Sequence, residues 1–200
     1  MSLDLNILKR DLGIKKRGHD LITSFCGWPT LLDFTSQASP HLAALTSCLF
    51  GTGARISEAL TFRPDNFHYE TIDDNEFLVG NLITIKKGAK ATPLSKRRVI
   101  PIPINEPTTK IFTRYLERFT GNEALFRYSR VWYWVLIQKQ NKAWWPHRFR
   151  TERASQLVNE YGYSVPQLVK FFNWEGANVA LGYVRLDSMD LARSMKPGIK

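Results

Sequence analysis

The sequence predicts an α+β fold that is mostly helical, with a small antiparallel sheet or hairpin. Helix-start signals followed by apolar stretches recur along most of the chain. The strand-like segments, by contrast, fall close together, at residues 77–86 and 98–104. A length of 200 residues and a hydrophobic content of 44% suit one domain with a real core, or one domain with a small appendage.

The first predicted helix follows an N-terminal region of mixed character. Residues 1–36, with a basic cluster from Lys15 to Arg17, indicate a weak helix or an arm. Ser39-Pro40 then predicts a helix start, because Ser suits the N-cap and Pro the first helical position. The apolar stretch that follows ends at Gly51, which suits a left-handed C-terminal cap.

A second short helix and the sheet come next. Thr52 can cap a helix that carries Ala54 to Leu60, and Pro64 stops it. Residues 77–86 predict one or two strands, and residues 98–104 another. Pro101 and Pro103 indicate that this last strand is short or lies at an edge, since proline donates no ladder hydrogen bond.

The rest of the chain has a helical pattern. The predicted helices are Pro107 to about Phe119, 129–140, 147–160, Val165 to Phe172, and Ala177 to Val184. The aromatic run VWYWVLIQ in the second of these is expected to be core, although it also suits a stacking surface for RNA.

The chain is basic, with 28 Lys and Arg against 18 Asp and Glu, a net charge of +10. Such an excess suits a polyanionic partner, usually nucleic acid, or simply a well-solvated surface. Two cysteines exclude a disulfide scaffold, and four scattered histidines argue against a metal enzyme. No apolar run approaches a membrane span and the start has no signal pattern, so we expect a cytoplasmic location.

Arg55 is an unusual residue for its predicted place in the first turn of a helix. It meets the positive pole of the helix dipole there, which is unfavourable unless an anion must be held at that spot. Glu58 lies on the same face and can orient the guanidinium. The alternative is a surface ion pair worth under about 1 kcal/mol.

Three further segments concentrate functional residue types. The segment from Lys86 to Arg98 is rich in basic residues and contains no acid, so it suits a phosphate backbone or a solvated loop. His147 and Arg150 share one face at a predicted helix start, where they could bind phosphate and relay a proton. Trp174 and Tyr183 lie near the end, where a tyrosine nucleophile would need positive charge beside it.

Together these segments resemble the catalytic domain of the tyrosine recombinases. The first family box, T-G-x-R-I-S-E-L, is similar to residues 52–60, and the second, His-x-x-Arg, matches His147 to Arg150. The family places His or Trp nine residues before its nucleophilic Tyr, as Trp174 and Tyr183 stand here. Its hairpin lysine corresponds best to Lys87, with Lys86, Lys90 and Lys96 as alternatives.

The chain also departs from the family pattern. The usual Leu-Gly-His is Phe172-Asn173-Trp174, and because Asn tolerates the left-handed conformation we expect the helix cap to survive. Most members carry an N-terminal DNA-clamping domain, for which residues 1–36 are too short. The resemblance therefore implies an N-terminal arm or linker remnant over 1–36, a catalytic domain over 37–185 and a tail over 186–200, which either packs on a neighbouring subunit or frays.

The resemblance implies DNA cleavage and rejoining through a 3′-phosphotyrosyl bond, with no metal, ATP or other cofactor. Tyr183 would be the nucleophile, Arg55 and Arg150 the phosphate clamp, and Lys87 the general acid. His147 would assist proton transfer, Trp174 would donate its indole N–H or pack, and Glu58 would orient Arg55.

The implied partners are double-stranded DNA and further copies of the chain, as a dimer or tetramer on DNA, with no membrane. The expected DNA contacts are Lys86, Lys90, Lys96, Arg97, Arg98, Arg148 and Arg153. Two alternatives remain: a type IB topoisomerase that relaxes supercoils, and a DNA-binding module of the same fold without catalysis.

Overall fold

A computed structural model of the chain describes residues 25–85 and 92–181. In these ranges the helices are α1 (Trp28–Gln37), α2 (Pro40–Thr52), α3 (Ile56–Ala59), α4 (Pro93–Lys96), α5 (Pro107–Leu116), α6 (Arg130–Gln140), α7 (Pro146–Asn159), α8 (Val165–Phe172) and α9 (Ala177–Leu181). The strands are β1 (Phe67–Ile72), β2 (Asn75–Ile83) and β3 (Arg97–Pro103), and a 3₁₀ turn spans Pro64–Asn66. The predicted α+β, mostly helical class is confirmed.

Helix α2 is the central element of the core. Ser39 caps it as predicted, its side chain accepting from the Leu42 N–H at 3.4 Å. Every residue from Leu42 to Thr52 is buried, and the helix packs against α1, α5, α7 and β3. The C-terminal cap is not Gly51, as predicted, but Gly53, whose φ of 58° is left-handed.

Helix α1 belongs to the packed body rather than to an arm. Its Leu31 and Phe34 are buried in the core cluster. The region predicted as an arm therefore includes, from Trp28 on, a helix whose apolar face packs on the domain. The basic cluster from Lys15 to Arg17 lies outside the described residues.

The sheet has the order β1-β2-β3, with both pairs antiparallel. Among the described strands β3 is therefore at an edge, in agreement with the inference from Pro101 and Pro103. Leu78 pairs with Ile102 and Leu82 with Arg98, and this face of the sheet is buried. Strand β1 was not predicted, since only its first residue, Phe67, is buried and no apolar alternation marks it.

The predicted helices of the second half are confirmed within the described residues, and residues 182–184 of the last one lie outside them. Helix α5 ends at Leu116, three residues before the predicted Phe119, and α8 has the predicted bounds. Within the part of the chain that is described, no helix is long and apolar enough to cross a membrane.

Candidate active site

Arg55 stands at the N-cap of α3, one residue before the helix and not in its first turn as predicted. Its backbone is extended, and its N–H donates to Glu58 Oε2 at 2.9 Å. Its guanidinium Nη1 donates to Glu58 Oε1 at 3.0 Å, while 29% of the side chain stays exposed. The preceding left-handed Gly53 turns the chain out of α2, so Arg55 is held by Glu58 at a helix start.

Glu58 also pairs with a second, buried arginine. Arg98 donates to Glu58 Oε2 at 3.3 Å and to the carbonyl oxygens of Thr52 and Phe171 at 3.2 and 3.0 Å. Burial lowers the pKa of Arg98 to about 10, although Glu58 opposes that shift. The prediction of Arg98 as a DNA contact is wrong, because its guanidinium is an internal cross-link between α3, α8 and the end of α2.

Arg150 lies directly behind the loop that carries Arg55. Its guanidinium donates to the carbonyl oxygens of Gly53 and Phe172. Its Cζ lies 4.6 Å from the ring centroid of Phe172 and 5.6 Å from that of Trp174. The structure thus brings Arg150 and Trp174 together behind the first box, although the Arg150 side chain is buried.

Asn173 connects the end of α8 to the sheet. Its φ of 51° and ψ of 47° confirm the predicted left-handed cap. Its side-chain amide donates to Thr84 Oγ1 at 3.3 Å and to the Ser95 carbonyl at 2.9 Å. Thr84 and Ser95 lie on either side of the sequence that carries Lys86, Lys87 and Lys90, and both are bonded to the residue that precedes Trp174.

Arg55 and His147 line one open cleft of about 630 Å³. Its walls come from the starts of α3, α6 and α7, and the lining residues are Arg55, Ile56, Ser57, Arg130, Val131, Trp134, Trp145, Pro146 and His147. The N-terminal ends of α6 and α7 add partial positive charge, and the ionisable lining residues are all basic. This combination suits an anion such as a phosphodiester.

Several solved structures share this arrangement of elements. The chain matches the crystal structure of XerA recombinase at 15% identity and a TM-score of 0.61, over 94% of this chain and 70% of that one. It matches the Tn1549 transposon integrase in complex with circular intermediate DNA at 19% identity and a TM-score of 0.60, over 90% of this chain and 67% of that one.

The catalytic domain of bacteriophage HP1 integrase aligns at 15% identity and a TM-score of 0.54, over 88% of this chain and 96% of that one. The chain has the fold of a tyrosine-recombinase catalytic domain. It spans 53% of the XerH site-specific recombinase. No family model and no curated protein sequence matches the chain.

The remaining predicted DNA contacts of this tyrosine-recombinase fold differ in their burial and in their partners. Lys96 is the last residue of α4 and is half-buried, and Arg97 is the first residue of β3 and is exposed. Arg148 donates through Nε to Glu152 Oε1 at 3.1 Å and covers the Trp144 ring at 4.4 Å. Lys86, Lys87, Lys90 and Tyr183 lie outside the described residues.

Arg153 is the second wrong prediction among the DNA contacts. It is buried, and its Nη1 donates to Glu106 Oε1 and Gln156 Oε1, each at 2.6 Å. The reason is its position on the α7 face that packs against the core. Its guanidinium is therefore bound inside the domain.

Sequence reasoning missed two residues of the cleft, Arg130 and Trp134. Ser129 caps α6, accepting from the Trp132 N–H at 3.2 Å, and Arg130 follows at the first helical position. A basic residue at a helix start is the same signal that singled out Arg55. Among the described residues, no group of three or more His, Cys, Asp or Glu side chains is placed to bind a metal ion.

Proposed function

We propose that the chain cuts and rejoins DNA strands through a 3′-phosphotyrosyl intermediate, as a site-specific recombinase or integrase. The observation that carries this proposal is the basic cleft shared by Arg55 and His147, with Arg150 directly behind it. These residues come from boxes more than ninety positions apart in the sequence. The fold shared with the XerH and Tn1549 enzymes, whose structures contain DNA, supports it.

The cleft would act by stabilising charge. The transition state for phosphodiester cleavage gathers negative charge on two non-bridging oxygens. Arg55 and the N-terminal ends of α6 and α7 would face that charge. Arg150 would exchange its bond to the Gly53 carbonyl for a non-bridging oxygen once DNA is bound.

The proposed step balances without an external energy source. The Tyr183 oxygen forms a bond to phosphorus, and the bond from phosphorus to the 5′ oxygen breaks. His147 assists removal of the Tyr183 proton, and Lys87 gives a proton to the leaving 5′ oxygen. A 5′-hydroxyl from another strand then attacks the phosphotyrosyl bond and restores Tyr183.

Trp174 would position Arg150 rather than transfer a proton, because an indole N–H is only a donor. Its ring stacks on Phe172, with centroids 4.5 Å apart and an interplanar angle of 16°. Phe172 in turn lies against the Arg150 guanidinium. Trp174 therefore holds the aromatic layer on which Arg150 rests.

The proposed partner is duplex DNA, bound at the cleft and along the start of β3. Lys96 and Arg97, with Lys86, Lys90 and Arg148, supply the proposed phosphate contacts. The chain would associate with further copies of itself on DNA, as a dimer or tetramer. It would act in the cytoplasm, on chromosomal, viral or plasmid DNA.

A second candidate is a DNA-binding module of the same fold without catalysis. The observation that favours it is the full burial of Arg150, whose guanidinium is bound to two carbonyl oxygens. Such a protein would bind DNA in a salt-sensitive manner and form no covalent bond to it.

Covalent capture tests the proposal. The protein is mixed with nicked and supercoiled plasmid, quenched with detergent, and run on a denaturing gel. We expect DNA-linked protein that Tyr183→Phe abolishes and that Arg55→Ala reduces by about 10²–10³-fold. Arg114→Ala, an exposed arginine on α5 outside the cleft, is the matched control and retains the adduct.

The other outcomes separate the candidates. An adduct that persists in Tyr183→Phe overturns the assignment of Tyr183 as the nucleophile. Salt-sensitive binding without an adduct supports the non-catalytic module. Transfer of the captured strand to an added 5′-hydroxyl acceptor indicates a recombinase, whereas relaxation of supercoils without transfer indicates a topoisomerase.

A further inference from the structure

Helix α6 exposes aromatic and apolar side chains that were expected to be core. Tyr133 and Ile137 are buried as expected. Val131, Trp132 and Trp134, however, are 65%, 51% and 50% exposed. The exposed indoles are therefore surface features that packing among the described residues does not explain.

Part of this exposed face is a wall of the candidate active site. Arg130, Val131 and Trp134 line the same cleft as Arg55 and His147, and we call these three residues the α6 wall. Trp132 is exposed to the same extent on the same helix but does not line the cleft. The cleft volume of about 630 Å³ lies in the range typical of small-molecule sites.

The cleft thus combines a half-exposed indole with cationic groups. A large aromatic side chain that is left exposed beside basic groups suits a ligand that is both planar and anionic. A nucleotide has this chemistry, because its base presents a π face and its phosphate a negative charge.

Continuous duplex DNA does not offer such a face. Its bases are stacked, so a protein in a groove or along the backbone meets only base edges, sugars and phosphates. Trp134 can stack only on a base that has left the helix or that ends a strand. The cleft therefore fits DNA that is locally opened at the phosphate to be cut.

We propose that the α6 wall binds an unpaired nucleobase next to the phosphate that Arg55 binds, with Trp134 as the stacking surface. This inference rests on the proposed function, since it places the base beside the scissile phosphate. It makes the preferred substrate a duplex with an unpaired nucleotide at the cleavage site rather than a fully paired one.

Competition binding with the full chain tests this assignment. The probes are a 20-base-pair duplex, about two helical turns, and the same duplex with one bulged 2-aminopurine nucleotide, whose fluorescence falls on stacking. We expect the bulged duplex to bind about tenfold more tightly than the paired one and its fluorescence to be quenched. Trp134→Ala removes both the preference and the quenching, whereas Trp132→Ala, the matched control, keeps both.

Each other result has a defined meaning. Equal affinity of the unaltered protein for the two duplexes overturns the inference, as does a loss of affinity in Trp134→Ala that is the same for both. Trp134→Phe keeps a π face and should restore part of the preference, which excludes a folding defect as the cause. The covalent adduct of the unaltered protein, and its loss in Tyr183→Phe, reports on the proposed function independently of these affinities.

Discussion

The arginines of this protein divide by what their guanidinium groups contact. Arg98, Arg150 and Arg153 are buried and donate to carbonyl, carboxylate or amide oxygens inside the domain. A guanidinium keeps its charge when buried and has several donors in one plane, so it can join several elements at once. Arg55 is different, because Glu58 fixes it while part of the side chain remains open to a ligand.

Glu58 is expected to be the residue on which this arrangement depends. It is 1% exposed and receives hydrogen bonds from both Arg55 and Arg98. Glu58→Gln removes the one negative charge between two guanidinium groups and leaves Arg98 buried without a counter-charge. We expect the free energy of unfolding in urea to fall by about 3 kcal/mol.

The control for that substitution is an exposed pair of the same chemistry. Glu123 and Arg127 form an ion pair on the surface, where solvent weakens it. Glu123→Gln should lower the free energy of unfolding by less than about 1 kcal/mol. Equal effects of the two substitutions would mean that Glu58 is not the counter-charge of Arg98.

At the scale of elements, the ends of α2 and α8 meet at a glycine. Gly53 has a φ of 58°, and a Cβ atom placed on it would lie 2.2 Å from Cε1 of the buried Phe172. Both the backbone conformation and the contact therefore require glycine. The close approach is what brings the Gly53 carbonyl within reach of Arg150.

Gly53→Ala is expected to separate these two helix ends. The strain of a left-handed alanine adds to the displacement of Phe172, so we expect a loss of at least about 2 kcal/mol in the free energy of unfolding. Gly121→Ala is the control, since nothing lies within 4 Å of its added Cβ. If Gly53→Ala unfolds at the same urea concentration as Gly121→Ala, the contact with Phe172 does not hold the two ends together.

Helices α2, α5 and α6 are joined by a histidine between two tyrosines. His41 Nδ1 lies 2.7 Å from the Tyr115 hydroxyl, and Nε2 contacts the Tyr133 hydroxyl. Tyr115 donates to the Leu125 carbonyl at 3.1 Å, so its oxygen accepts from Nδ1–H, and Nε2 accepts from Tyr133. This assignment makes His41 a neutral imidazole that anchors the helix carrying the α6 wall.

The stability of this junction should fall in acid. Burial lowers the pKa of His41 below its ordinary value of 6.5, so the folded state resists protonation. The stability that the neutral His41 side chain contributes is present above pH 6.5 and is lost as the pH falls through its lowered pKa. The melting temperature should fall between pH 8 and pH 5. His41→Gln should reduce this fall, whereas His68→Gln, a change at an exposed histidine, should leave it unchanged. An unchanged decline in His41→Gln would assign the acid sensitivity to other groups.

Local chemistry made most elements predictable. Ser39 with Pro40 predicts the start of α2, and Pro101 with Pro103 predicts an edge strand, because caps and missing donors act within a few residues. Strand β1 escaped prediction because it is held by pairing with β2 rather than by an apolar pattern of its own.

The residue types of the candidate site could be predicted from the sequence, whereas the burial and the hydrogen-bond partners of those residues could not. The resemblance indicated that Arg55, His147 and Trp174 act together. In the structure Arg55 and His147 line one cleft, and Trp174 lies beside Arg150 behind the loop that carries Arg55. Burial of Arg98 and Arg153 could not be predicted, because their acceptors, such as Glu106, are distant in sequence. The exposure of Trp134 was also not predicted, because aromatic residues at helical spacing usually pack inside.

For the whole molecule, the net charge of +10 overstates the positive charge that can meet DNA, since several arginines are buried. DNA affinity should fall linearly with the logarithm of salt concentration, each phosphate contact adding about 0.9 to the slope. Arg97→Ala, at the exposed start of β3, should reduce the slope by about 1 in fluorescence anisotropy titrations, whereas Arg114→Ala on α5 leaves it unchanged. A slope altered by Arg114→Ala and not by Arg97→Ala would place the DNA on the α5 side and away from the cleft.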